Sequence, residues 1–250
     1  MGTLDFATLS AVCAIVFASA VLRGLTGFGF ALAAVPMMSL AISPESAVTI
    51  TIMLQAIIGL RDIVQVRRSV DWRSLSRLSV GALLGTGPGI LLLATLDASW
   101  LRIMLAVVVC ASLPVILRRP SGGPHANMRL ALPSGALSGF FGGAAAMPGP
   151  PAIFYFLHIG APAAVMRASL LVFFFATSLI AIPGLYVVDL LGTDDFLRAL
   201  VALPFMLLGT AAGGLAFSRA SESQYRRASI LVLIAVALAA GVRGLLDLAP

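Results

Sequence analysis

Charge is what this sequence most lacks. Only 10% of its 250 residues are charged and lysine is absent altogether, whereas roughly a quarter of an ordinary soluble domain is charged. A water-soluble fold of this size could not cover its surface with so few charges, so that class is excluded. The two cysteines, Cys13 and Cys110, each sit inside an apolar run. They offer neither a disulfide framework nor a CxxC metal site and read as small hydrophobes. A Walker sequence, a metal-spaced cluster of His, Cys, Asp and Glu, and a GxSxG elbow are all missing. With them go the usual parts of ATP-driven pumping and of hydrolysis. Glu45, Asp62, Asp97, Asp189 and Asp247 fall near the ends of apolar segments, which leaves a relay of buried acids unsupported. The opening MGTLDFATLS carries no basic start and no cleavage site, so the first apolar segment is expected to be retained.

What remains is apolar. Hydrophobic residues make up 60% of the chain and the mean hydropathy is +1.07. Apolar runs such as 101–117 and 230–242 mark a polytopic, all-α membrane protein. Six spans are predicted at roughly 45–63, 78–96, 100–117, 165–187, 197–217 and 228–246, each near the twenty or so residues that cross a bilayer. Two more apolar regions are interrupted, residues 6–42 by GLTGFG and residues 130–159 by GFFGGAAAMPGPP. Their pieces are marginal for a full crossing and read as broken or re-entrant helices. Trp72, Trp100 and Tyr225 stand at span ends as interfacial anchors.

The two interruptions align with each other. At an offset of 115, Ser19, Leu22, Gly24, Gly27, Ala31 and Pro36 fall on Ser134, Leu137, Gly139, Gly142, Ala146 and Pro151. At an offset of 124, LLGTGPG (83–89) falls on LLGTAAG (207–213). The chain therefore reads as two repeats, 1–118 and 130–250, joined by a polar cytoplasmic linker at 119–129. Each repeat has one Gly/Pro-broken region plus three transmembrane helices. All sixteen basic residues are arginine, set singly or in pairs between apolar runs, which points to orientation in a bilayer rather than to nucleic acid. Arg61, Arg67, Arg68, Arg73 and Arg77 occupy one loop, while Asp189, Asp194 and Asp195 with Arg198 occupy its counterpart. Equivalent loops then face opposite sides, so the repeats are expected to be inverted, with both termini external. Inverted repeats with broken helices are the architecture of secondary transporters.

Irregular backbone at membrane depth is tolerated only inside protein or along a water-filled cavity. At such a break a half-helix begins, and its N–H groups attract anions. The expected anion site comprises Gly24, Thr26, Gly27 and Gly29 in one repeat and Gly139, Gly142, Gly143, Met147 and Gly149 in the other. Arg23, whose repeat counterpart at this offset is Ser138, adjoins the first break as a neutralising cation or a marker of a cytoplasmic turn. Gln55, mid-span, either donates to substrate oxygens or bridges two helices. Gly85, Gly89, Gly209 and Gly213 have GxxxG spacing without a break and read as packing glycines. Arg167 reads as an ordinary positive-inside residue, and His125 and His158 as solvated loop histidines.

At GLTGFGFALAAVP and GALSGFFGGAAAMPGPP, each followed by SPESA or APAAV before the next span, the sequence resembles the TauE/SafE family of membrane permeases. Nearly the whole chain is covered. Family members commonly show a GxGGG-like run before a proline; here GFG and GGAAA stand in its place. The resemblance implies transport of small sulfur oxyanions or organosulfonates of the sulfite, sulfoacetate or isethionate type. The leading expectation is a secondary transporter in the inner (plasma) membrane that holds a small anion between the two broken regions and moves it by alternating access. A passive anion channel, a carrier of a non-sulfur organic anion, a structural subunit and, remotely, an intramembrane enzyme are the alternatives. The expected partners are the anionic substrate and the lipid bilayer, with a homodimer left open. No nucleic acid, cofactor, metal or catalytic residue is expected.

Overall fold

The computed structural model describes residues 5–117 and 128–217; the predicted span at 228–246, Tyr225, His125 and all but the end of the linker lie outside them. Every regular element among the described residues is helical. The order is α1 (Phe6–Thr26), α2 (Phe30–Met38), α3 (Pro44–Val66), α4 (Trp72–Thr95), α5 (Ala98–Leu117), α6 (Ala131–Ala145), α7 (Gly149–His158), α8 (Ala163–Val187) and α9 (Thr193–Phe217). Five helical segments, in α1, α3, α4, α8 and α9, are long and apolar enough to cross a membrane. The five long spans predicted within 45–217 each find a helix. The first interrupted region differs from expectation: its leading piece, α1, has 21 residues and is a full span rather than a marginal one. Its helical pattern runs through Gly24 to Thr26, because a glycine inside a helix weakens it without ending it. The other three pieces, α2, α6 and α7, have 9, 15 and 10 residues and are short for a crossing.

The chain divides into two compact units. One comprises residues 1–54, 96–110 and 189–250; the other comprises 55–95 and 111–188. These units and the halves read from the sequence are different divisions of the chain. In the first unit α1 packs along α9 and turns back through α2. In the second, α6 packs along α4, which also meets α8, and α7 follows on α6 and α8. Each unit thus sets an interrupted helix from one half of the chain against a long helix from the other half.

Small residues make both pairings possible. A methyl group on Gly85 or Gly89 would overlap the carbonyl of Ala136 or Phe140, and one on Gly139 or Gly143 would overlap that of Ala82 or Thr86. In the first unit the same relation holds for Gly209 and Gly213 against Phe17 and Val21, and for Gly24 against Thr210. Without Cβ atoms the backbones approach to direct contact, which is how helices associate where lipid supplies no hydrophobic drive.

These contacts also set the register between the two pairings. Gly85 and Gly209 are 124 apart, but their partners Ala136 and Phe17 are 119 apart, as are Phe140 and Val21. The helix ends agree: Thr26 with Ala145, Phe30 with Gly149 and Pro44 with Ala163 are each 119 apart. The offset across the breaks is therefore 119, one helical turn beyond the 115 suggested by residue identities. The counterpart of Arg23 becomes Gly142, and that of Ser19 becomes Ser138.

Ten consecutive residues of α3, 47–56, are buried, as expected of a helix apolar all round and sheathed by others. Val80, Leu83, Leu84 and Leu91 on α4 and Leu200, Leu208 and Leu215 on α9 are exposed, the faces a bilayer would cover. Asp195 in the first turn of α9 accepts from Ser46 Oγ and from Arg198 Nη1, both at 3.0 Å, and so ties α9 to α3. Trp72 and Trp100, in the first turns of α4 and α5, are half exposed.

Gly85→Val and Gly213→Val are each expected to destabilise by about 3 kcal/mol or more, because the displaced atoms are backbone. Gly87→Val, which meets nothing within 4 Å, should change stability by only about 0.5 kcal/mol. Thermal unfolding in detergent checks the contrast; equal effects at Gly85 and Gly87 would contradict it.

Candidate functional site

The first interruption is built from two left-handed glycines. Gly27 (φ 78°) ends α1, with its N–H on the Arg23 carbonyl at 2.7 Å, and Gly29 (φ 94°) caps the start of α2. Both values lie where an L side chain is strained, so the sharp turn from one helix to the next depends on glycine. Gly29 has no side chain with which to satisfy the helix start. The Ala33 N–H reaches the Gly29 carbonyl at 3.2 Å, so the N–H groups of Phe30, Ala31 and Leu32 have no acceptor within α2. All three residues are buried. At the other end of α2, Arg102 Nε donates to the carbonyl of Ser39 at 3.0 Å. That cation compensates the negative end of the short helix, and the positive end is the one that faces the break. Arg23, in the last turn of α1, is only 6% exposed.

The second interruption reaches the same turn with different residues. Ala146 (φ 56°) takes the place of Gly27, a left-handed alanine held by bonds from its own N–H to Gly142 and from Met147 N–H to the Phe141 carbonyl at 3.1 Å. The first of these bonds, from the left-handed residue back four, is the αL form of helix closure. Gln55 on α3 donates from Nε2 to the Ala146 carbonyl at 3.2 Å. Of the two sequence readings of Gln55, the bridge between helical segments is the one the hydrogen bond displays. Pro148 caps α7, and Pro150 and Pro151 fill its first turn. Proline has no N–H, so Gly149 alone offers an amide before Ala152. Met147 is buried at 1% exposure. A methyl on Gly149 would make ordinary contact with Phe174, and one on Gly142 with Pro148.

The expected site residues therefore separate. Gly27 and Gly29 lie in the first interruption, and Gly142, Met147 and Gly149 line the second. Gly24, Gly139 and Gly143 face the backbone of the adjoining helix, as Gly85, Gly89, Gly209 and Gly213 do. Thr26 closes α1, and its side chain lies outside the described residues. Sequence reasoning missed two further features. Arg102 was legible only as a residue near a span end. The hydroxyls of Ser19 and Ser138, buried with no hydrogen-bond partner among the described residues, were hidden by an alignment that paired Ser19 with Ser134.

Apolar spans, helices broken where the backbone turns left-handed, and interhelical contact through small residues define a multi-pass membrane protein with irregular backbone protected inside it. The family profile described as Sulfite exporter TauE/SafE matches residues 12–240, and the chain belongs to that family of membrane transporters. Among curated proteins and among solved structures, nothing matches it.

Removing the Gln55 amide should leave the buried Ala146 carbonyl short of a donor. Gln55→Leu is expected to cost about 1–3 kcal/mol of stability. An unchanged melting temperature for this variant would show that the carbonyl is satisfied otherwise.

Proposed function

We propose that the protein is a secondary transporter of a small anion, a sulfur oxyanion or an organosulfonate, working by alternating access between two inverted repeats. One observation carries the reading beyond the family: the N-terminus of α2, with three amides lacking a helical acceptor, begins directly at the break that follows the buried Arg23. A helix start attracts negative charge, and a buried guanidinium adds a full positive charge and planar donors. The membership in a sulfite exporter family supports an oxyanion as the cargo. The second interruption is uncharged and rests on fewer donors, so the two breaks contribute unequally. An anion leaving a cell that is negative inside gains roughly 2.3 kcal/mol per charge per 100 mV. Export from the cytoplasm across the inner membrane could therefore run on the membrane potential alone.

Proteoliposomes loaded with sulfite, thiosulfate, isethionate or acetate test the proposal. The expected result is electrogenic flux of a sulfur anion with counter-flow exchange; no flux of any of them would overturn it. Arg23→Gln should raise the KM for a divalent anion by about tenfold, and that for a monovalent one by less. Equal changes for both would remove Arg23 from the binding site.

A further inference from the structure

Hydroxyls inside helices usually satisfy themselves on the preceding turn. Thr86 bonds the Ala82 carbonyl at 2.7 Å, Ser178 bonds that of Phe174 at 2.8 Å, and Thr95 that of Leu91 at 2.8 Å. Ser19 and Ser138 do not, although they are 1% and 0% exposed. Leaving a hydroxyl buried and unpaired is unfavourable, and alanine would fill either position without that penalty.

Three other buried hydroxyls, those of Thr49, Thr51 and Thr210, share this state, but the register between the two pairings sets them apart. The counterparts of Thr49 and Thr51 are Ala168 and Leu170, and the counterpart of Thr210 is Thr86, which is back-bonded. Among the described residues, only Ser19 and Ser138 recur in both units as the same residue in the same unpaired state. Each stands one helical turn before the residue whose carbonyl accepts from the left-handed residue that ends its helix, Ser19 four residues before Arg23 and Ser138 four before Gly142. Residues four apart share a helix face. The bare face of Gly142 looks at Pro148, the cap of α7, so Ser138 lies on the side of α6 turned toward the break.

We infer that Ser19 and Ser138 are anion-binding hydroxyls, each donating within its own unit to oxygens of an oxyanion at the neighbouring interruption. The inference rests on the anion-transport reading and extends it to residues outside the glycine turns. Residues 130–157 contain no charged side chain, and the prolines of α7 remove two of its first amides. A neutral hydroxyl is the donor still available there. In the first unit the same hydroxyl shares its face with Arg23.

The test uses the full-length protein in detergent, with melting followed against sulfite and isethionate concentration. Ser19→Ala and Ser138→Ala should melt at or above the wild-type temperature without anion, since each removes an unpaired hydroxyl. Each should also weaken the anion-dependent stabilisation, raising the apparent Kd about tenfold. Wild-type protein stabilised by an anion, with both variants stabilised at an unchanged Kd, would overturn the serine assignment and leave the transport reading standing. Lower melting of the variants without anion would also overturn it, by marking the hydroxyls as structural. Wild-type protein stabilised by neither anion would take down the transport reading, and the serine assignment with it.

Discussion

A helix that stops inside a membrane leaves N–H and C=O groups with no water to satisfy them, and everything else in this protein is arranged around that constraint. Both interruptions occur beside a helix pair packed so closely that carbonyls of one helix occupy the space where side chains of the other would stand. Glycine and alanine stripes give that approach, and the residues that open α2 and α7 are buried. Two carbonyls at these helix ends each meet a side-chain donor, Gln55 at Ala146 and Arg102 at Ser39.

The two breaks solve the same geometric problem with different chemistry. One uses Gly27 and Gly29 and leaves a helix start rich in amides next to Arg23. The other uses a left-handed alanine and a proline-filled first turn, poor in amides, within a stretch (130–157) that carries no charged side chain. The two interruptions thus differ in the donors they carry, amides beside a guanidinium in one and few, neutral groups in the other.

Much of this was legible in the sequence, for a physical reason. Long apolar runs have one solution in lipid, so α3, α4, α5, α8 and α9 were predicted close to their observed ends, and Gly/Pro clusters marked both interruptions. The register was not legible. A shift of four residues keeps side chains near the same helix face, and small residues recur every four along α6 at Gly135, Gly139 and Gly143; over residues 19–36 identities favour 115, with six matches against three at 119. The contacts across the helix pairs and the helix ends are what set the offset at 119. For the same reason the sequence could not separate Gly24, Gly139 and Gly143, which meet a neighbouring backbone, from Gly27 and Gly29, which make the turn. The PGPP run of the second break did show that its amides were few. Gln55 stood out as polar in an apolar run, but its partner, a carbonyl 91 residues away, follows from the fold alone.

The most direct measurement is a structure of the protein soaked with selenite, an electron-dense analogue of sulfite, with the selenium located by its anomalous signal. The account predicts a selenium peak whose oxygens lie within hydrogen-bonding distance of the Phe30, Ala31 or Leu32 amides or of the Gly149 amide. A peak bound elsewhere in the membrane region, with both interruptions closed over by side chains, would contradict it.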